Sequence, residues 1–72
     1  MSRLRVGLLG CGGIAARHAG AIAALSDHLQ LVACCGRDEA KAAAFASKFG
    51  AAPYVDFRRM LDEARLDLLI VA

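Results

Sequence analysis

The sequence has no Trp, one Tyr and three Phe, so it lacks the rings on which a single-stranded nucleic acid stacks its bases. Charge of one sign is also scarce. Nine Lys and Arg stand against seven Asp and Glu, a formal net charge of +2. The arginines at 3, 5, 17, 37, 58, 59 and 65 are scattered and form no basic run. No nucleic-acid partner is expected from such a surface. Long apolar runs are missing: nothing approaches the ~20 residues of a membrane span, and the apolar stretch before Gly10 is too short for a signal peptide. With one Pro and seven Gly, collagen-like and Pro-rich architectures are excluded.

Cysteine is present but in no metal pattern. Cys11, Cys34 and Cys35 are odd in number, contain no CxxC pair, and have only His18 and His28 as further ligands. Neither a metal finger nor a disulfide framework is expected. Cys34 and Cys35 are adjacent in an apolar run, where successive strand side chains point to opposite faces, so both read as buried thiols. Reduced thiols in a core indicate the cytoplasm.

What the sequence does hold is apolar: 58% of its 72 residues are hydrophobic and 22% charged. That composition folds, yet a chain this short nets only about 3–5 kcal/mol from its own core and usually needs outside support. The periodicity alternates. Leu4 to Leu9 is a strand-length run that stops at Gly10, Gly12 and Gly13. From Ile14 the spacing of Ile14, Ala15, His18, Ala19, Ile22 and Leu25 places one face of a helix against a neighbour, and Gly20 within it is expected to permit close packing. Leu29 to Cys35 is a second strand.

Asp38 then caps a helix whose face is Ala42, Phe45, Ala46 and Phe49, with Lys41 and Lys48 away from it and Gly50 closing it. Pro53 confines the short extended piece around it to a sheet edge or a strand's first residue. Asp56 caps a third helix, from about Phe57 to Ala64, with Phe57, Met60, Leu61 and Ala64 inward. The last residues, 67–72, begin a strand apolar on both faces, the pattern of a buried parallel strand. This order predicts an α/β fold: a partial Rossmann-like, doubly wound parallel sheet with strand order 3-2-1-4.

Gly10-Cys11-Gly12-Gly13-Ile14-Ala15 reads GxGxxA, a form of the dinucleotide fingerprint, placed after a strand, before a helix and within a βαβ unit. Gly10 makes the tight turn, Gly12 lets a pyrophosphate approach the backbone, and Ala15 keeps helix close to sheet. The helix N-terminal amides then meet the phosphates, and no lysine is needed. A P-loop is excluded because no GK[ST] follows. At the end of the second strand, where NAD-binding sites usually place a carboxylate for the ribose hydroxyls, the sequence reads Cys35-Gly36-Arg37-Asp38. The glycine removes the acid, and Arg37 can pair with a 2′-phosphate or stack on adenine. NADP is therefore favoured over NAD. Two alternatives stay open: Asp38 swinging back to the ribose, and Arg37 as a solvated loop residue. His18 reads as a packing histidine rather than a catalytic one, and Arg17 is a secondary candidate for a phosphate contact.

The segments 5–15, His18, 31–35, 43–46 and 66–72 resemble the Gfo/Idh/MocA oxidoreductases along the whole chain. That resemblance implies hydride transfer between NAD(P) and a sugar, polyol or related carbonyl compound, by an N-terminal Rossmann domain joined to a C-terminal α/β substrate domain. It places Gly10, Gly12 and Ala15 at the pyrophosphate turn, with backbone contacts from Cys11, Gly13 and Ile14, and Gly36 and Arg37 at the adenosine ribose. Gly36 departs from the family, where many members have Asp or Ser.

Members continue past the strand into a Thr/Asn-Pro turn and later a Lys-Pro segment that takes part in proton transfer. Residues 1–72 are thus expected to be an incomplete dinucleotide-binding domain, without the substrate domain, catalytic residues or metal ligands, and inactive alone. The family also implies a homo-oligomeric parent, associating through the sheet of the second domain. The alternative is a stand-alone nucleotide-sensing or structural module without catalysis. An open fourth strand is expected to make the isolated chain prone to self-association.

Overall fold

The computed structural model describes residues 3–72; Met1 and Ser2, part of the N-terminal segment considered above, lie outside them. The elements follow the expected order: β1 (Leu4–Leu9), α1 (Gly13–Ala24), β2 (Leu29–Cys35), α2 (Glu39–Phe49), β3 (Ala52–Tyr54), α3 (Phe57–Ala64) and β4 (Leu68–Val71). The four strands form one parallel sheet in the order β3-β2-β1-β4, as the alternation of segments requires. Pro53 lies on the edge strand β3, where its missing N–H costs no internal ladder bond.

Helices cover both faces of the sheet. On one, Ala15, Ala19 and Ile22 of α1 and Phe45 and Ala46 of α2 pack on Val6, Leu8, Leu31 and Cys34. The alanines let both helices approach the strands closely. On the other, Met60 and Ala64 of α3 pack on Ala33 and Cys35. Met60 is fully buried, a contribution of about 1.5–3 kcal/mol.

A register shift decides which cysteine faces which layer. Val6 pairs with Leu31 and Gly7 with Ala33, which leaves Val32 as an extra residue in β2. Without it, alternation from Leu31 would carry Ala33 to the α1 side. With it, Cys34 returns to that side and Cys35 turns to α3.

Local signals set the helix ends. Asp38 accepts from the Lys41 amide at 3.1 Å, and Asp56 accepts from the amides of Arg58 and Arg59 at 3.0 and 3.3 Å. Gly50 closes α2 at φ 72°, a left-handed conformation that L side chains resist. Arg5 ties α3 to β1: its guanidinium donates to the Ala64 carbonyl at 2.8 Å and to that of Arg65 at 3.2 Å, while its amide donates to Asp67 Oδ2 at 2.7 Å.

Three expectations are corrected. Ile14 and Leu25 are exposed, because the inward arc of α1 is narrow and centred on Ala15, Ala19 and Ile22. Gly20 packs on nothing: a Cβ there would meet no atom within 4 Å. β4 is bonded to β1 alone, the open edge expected of the fourth strand, and Leu68 and Val71 on it are exposed at 43% and 71%. Leu61 is likewise more exposed than its place on the inner face of α3 suggested. Two glycine substitutions should therefore move stability in opposite directions. Gly20→Ala raises unfolding free energy by about 0.5–1 kcal/mol and Gly50→Ala lowers it by about 1–2 kcal/mol, both read from thermal melts by circular dichroism.

Candidate functional site

The C-terminal ends of β1 and β2 carry the glycine turn and Gly36 side by side. The Gly10 amide donates to the Cys35 carbonyl at 2.8 Å, and the Ala72 amide donates to the Leu9 carbonyl at 2.9 Å, so the turn starts from a point pinned on both sides. Gly10 sits at φ 123°, and a Cβ there would come 3.2 Å from the Ala72 carbonyl oxygen. Backbone and packing both demand glycine at this position.

Gly12 differs in kind. Its φ of −91° suits any residue, and a Cβ there would touch nothing within 4 Å. Neither backbone nor packing asks for glycine, which leaves the approach of something from outside the chain. Gly12 is also the N-cap of α1, and no side chain caps that helix; its first turn carries no acidic residue. The Ala16 amide bonds back to the Gly12 carbonyl, so the amides of 13–15 precede the helical ladder. With α2 and α3 both capped by aspartates, α1 is the helix whose amide end stays open to an anion.

An open groove of about 620 Å³ runs from this turn across the end of β2, lined by Gly10, Cys11, Gly12, Gly13, Gly36 and Arg37, and also by Ala16, Asp38, Lys41 and Phe45. Six of the eight sequence-predicted residues meet there. Ala15 lies beneath it, fully buried against the sheet, which is where a spacer between helix and strand belongs. Ile14 does not line the groove; its side chain is 65% exposed. Arg17 is exposed on α1 and likewise lies outside the lining, while His18 is half-buried.

The sequence reading missed Ala16, Lys41 and Phe45 as lining. The signal for Lys41 was its place three residues after the Asp38 cap, in the first turn of a helix that starts at the groove. A second groove of about 400 Å³ lies outside α2 and β3, but the carboxylates of Glu39 and Asp56 in its wall suit a polyanion poorly. No cluster of three or more His, Cys, Asp or Glu able to hold a metal occurs among the described residues. No helix there is long and apolar enough to cross a membrane.

A parallel α/β sheet with an open glycine turn at the end of its first strand, between β2 and β4, defines a nucleotide-binding Rossmann domain. The family description "Oxidoreductase family, NAD-binding Rossmann fold", that of Gfo/Idh/MocA, matches residues 4–72, and the chain belongs to this family. Comparison with curated proteins gives no match.

Among solved structures, the chain is similar to the WlbA dehydrogenase from Bordetella pertussis in complex with NADH and UDP-GlcNAcA. The identity is 35% and the TM-score 0.93, over 99% of this chain and 22% of that one. It is similar to an NAD binding oxidoreductase from Klebsiella pneumoniae, at 28% identity and TM-score 0.87, over 99% and 21%. A 3-ketoreductase from Actinomadura kijaniata, in complex with TDP-benzene and NADP, matches at 28% identity and TM-score 0.87, over 97% and 22%. The chain thus spans about a fifth of the length of the structures it matches.

Beneath the turn, Cys11 and Cys34 lie on one side of the sheet and Cys35 on the other. Burial pushes the Cys34 thiol up to about 12 from its ordinary 9.0, and the neighbouring Cys11 and Cys35 push the same way. Cys35 is raised too, first by burial, then by Cys11 and Asp56. Unfolded, such thiols titrate near ~8.5. Above that pH the unfolded chain holds fewer protons than the folded one, so stability is intact below it and falls as pH rises toward the folded value. The unfolding midpoint should drop between about pH 8 and about pH 10, and drop less in Cys34→Ala. Equal slopes in the two proteins would contradict this.

Proposed function

We propose that residues 1–72 form the adenosine-pyrophosphate half of the dinucleotide site of a larger NAD(P)-dependent oxidoreductase acting on a sugar, polyol or related carbonyl compound. The observation that carries this reading is the unfilled space over Gly12, at an ordinary φ, in front of the uncapped end of α1. A pyrophosphate laid there meets the amides around Cys11, Gly12, Gly13 and Ile14, and the helix dipole favours its charge. Gly10 shapes the turn and Ala15 holds α1 close to β1, so both act through the backbone. When bound, the nicotinamide exchanges hydride with a substrate. This chain's own residues bind and orient the adenosine end; the groups that hold substrate and move its proton belong to the remainder of the parent.

The groove favours NADP over NAD. Gly36 brings no carboxylate to the ribose, and a Cβ at that position would lie 3.0 Å from Cys11 Sγ, so an Asp could enter only if Cys11 moved. Asp38 is engaged as the cap of α2. Arg37 stands on the rim as a cation for a 2′-phosphate. Relatives of known structure hold NADH in one case and NADP in another, so the choice rests on these residues. The reading extends to a cytoplasmic, homo-oligomeric parent.

Titration of NADPH and NADH against the chain, followed by thermal shift, should show NADPH binding tighter. Arg37→Ala should cost NADPH about tenfold, the loss of a charge-assisted contact, and leave NADH nearly unchanged. Gly12→Val should abolish both while lowering the melting point of the free protein only slightly, as valine makes a poorer N-cap than glycine. Tighter NADH binding would overturn the NADP assignment. Purified alone, the chain should give no turnover with any sugar or polyol; steady NADPH-linked reduction of such a carbonyl compound would overturn the half-site reading.

A further inference from the structure

Two thiols under the glycine turn have no part in holding a dinucleotide. Cys11 lines the groove and is half-buried; its Sγ fills the gap between the turn and Gly36, and its side chain packs on the cluster that contains Cys34. Cys34 is completely buried one strand away, paired in register with Leu8. Its thiol is directed at the Ala42 carbonyl, at 3.7 Å, and Ala42 also borders the gap beside Gly36 that the Cys11 sulfur fills. One thiol of the pair is therefore reachable from the groove and the other is held behind it. Cys35, next in sequence, faces the opposite layer against α3 because of the extra residue in β2.

We propose that Cys11 and Cys34 are a redox-sensitive pair whose disulfide fastens the glycine turn to β2 and switches off dinucleotide binding. With a peroxide as oxidant, the Cys11 sulfur attacks one peroxide oxygen, the O–O bond breaks, and Cys11 becomes a sulfenic acid with release of one water. The Cys34 sulfur then attacks the Cys11 sulfur, gives up its proton, and a second water leaves as the S–S bond forms. Two thiols are oxidised by two electrons and one peroxide is reduced to two waters.

An S–S bond is about 2 Å long, shorter than any non-bonded sulfur contact, so closure draws Cys11 toward β2. The amides on either side of Cys11 move with it, and the hydrogen bonds they offer a phosphate tolerate only a few tenths of an ångström. The same geometry makes a bound dinucleotide a cover for Cys11. This inference rests on the proposal that the turn receives the pyrophosphate.

The full chain is treated with hydrogen peroxide, its remaining thiols are alkylated, and it is digested with trypsin, which separates residues 6–17 from residues 18–37. A species joining these two peptides, lighter by two hydrogens, is expected in the native protein and in Cys35→Ala. It should be missing in Cys34→Ala and Cys11→Ala, and its formation should be slowed by NADPH. A joined species that persists in Cys34→Ala, or is lost in Cys35→Ala, overturns the assignment. Thiol alkylation rates in the unoxidised variants, compared with those in denaturant, show whether each variant is folded.

NADPH affinity should fall about tenfold or more in the disulfide form, the loss expected from a misaligned charge-assisted hydrogen bond, and return on reduction by dithiothreitol. Unchanged affinity in the disulfide form overturns the switch alone. Failure of the reduced chain to bind NADPH overturns the dinucleotide reading, while the joined peptides still report on the thiol pair.

Discussion

Hydrogen bonding of β1 on both edges is the constraint from which the rest of the structure follows. Because β2 and β4 flank it, the chain leaving Leu9 emerges between two strands whose connecting helices lie on opposite faces of the sheet. That is the crevice where doubly wound sheets bind ligands. The bonds from Gly10 to Cys35 and from Ala72 to Leu9 hold the exit point, and the positive φ of Gly10 turns the chain into α1 without leaving the crevice. The groove, its amide donors and its cations follow from that placement.

The glycines of the turn do different work. Gly10 is required by the fold, through its φ and its closeness to Ala72, and would be required if nothing ever bound. Gly12 is not required by the fold at all, which makes it the more informative residue about function. Gly36 carries a third meaning, since Cys11 occupies the space a side chain would need. A fingerprint read from spacing alone treats these glycines as equals, and their surroundings separate them.

Much of the fold was legible because its signals are local. The caps at Asp38 and Asp56, the left-handed stop at Gly50, and the edge position of Pro53 each depend on a few neighbouring residues, and each was found where the sequence placed it. The strand order followed from alternation and handedness, and the glycine turn from its place after a strand. What was not legible depends on register and on distant partners. Nothing near Val32 announces the extra residue that decides which of Cys34 and Cys35 faces which layer. Arg5 reads as one scattered cation until α3 ends against it. Lys41, Ala16 and Phe45 join the groove only once two helices converge on the end of β2, and Ile14 leaves it because α1 turns its narrow face inward.

On the proposed reading, a dinucleotide phosphate sits on the amides in front of α1, beside Gly36 and Arg37. Backbone amide resonances of the chain, followed as NADPH is added, test it directly. The account predicts that the largest changes fall on Cys11, Gly12, Gly13 and Ile14 and on Gly36 and Arg37, with Ala52, Tyr54 and Val55 in the outer groove unmoved. Changes centred on that outer groove, or none at the turn at saturating nucleotide, would contradict it.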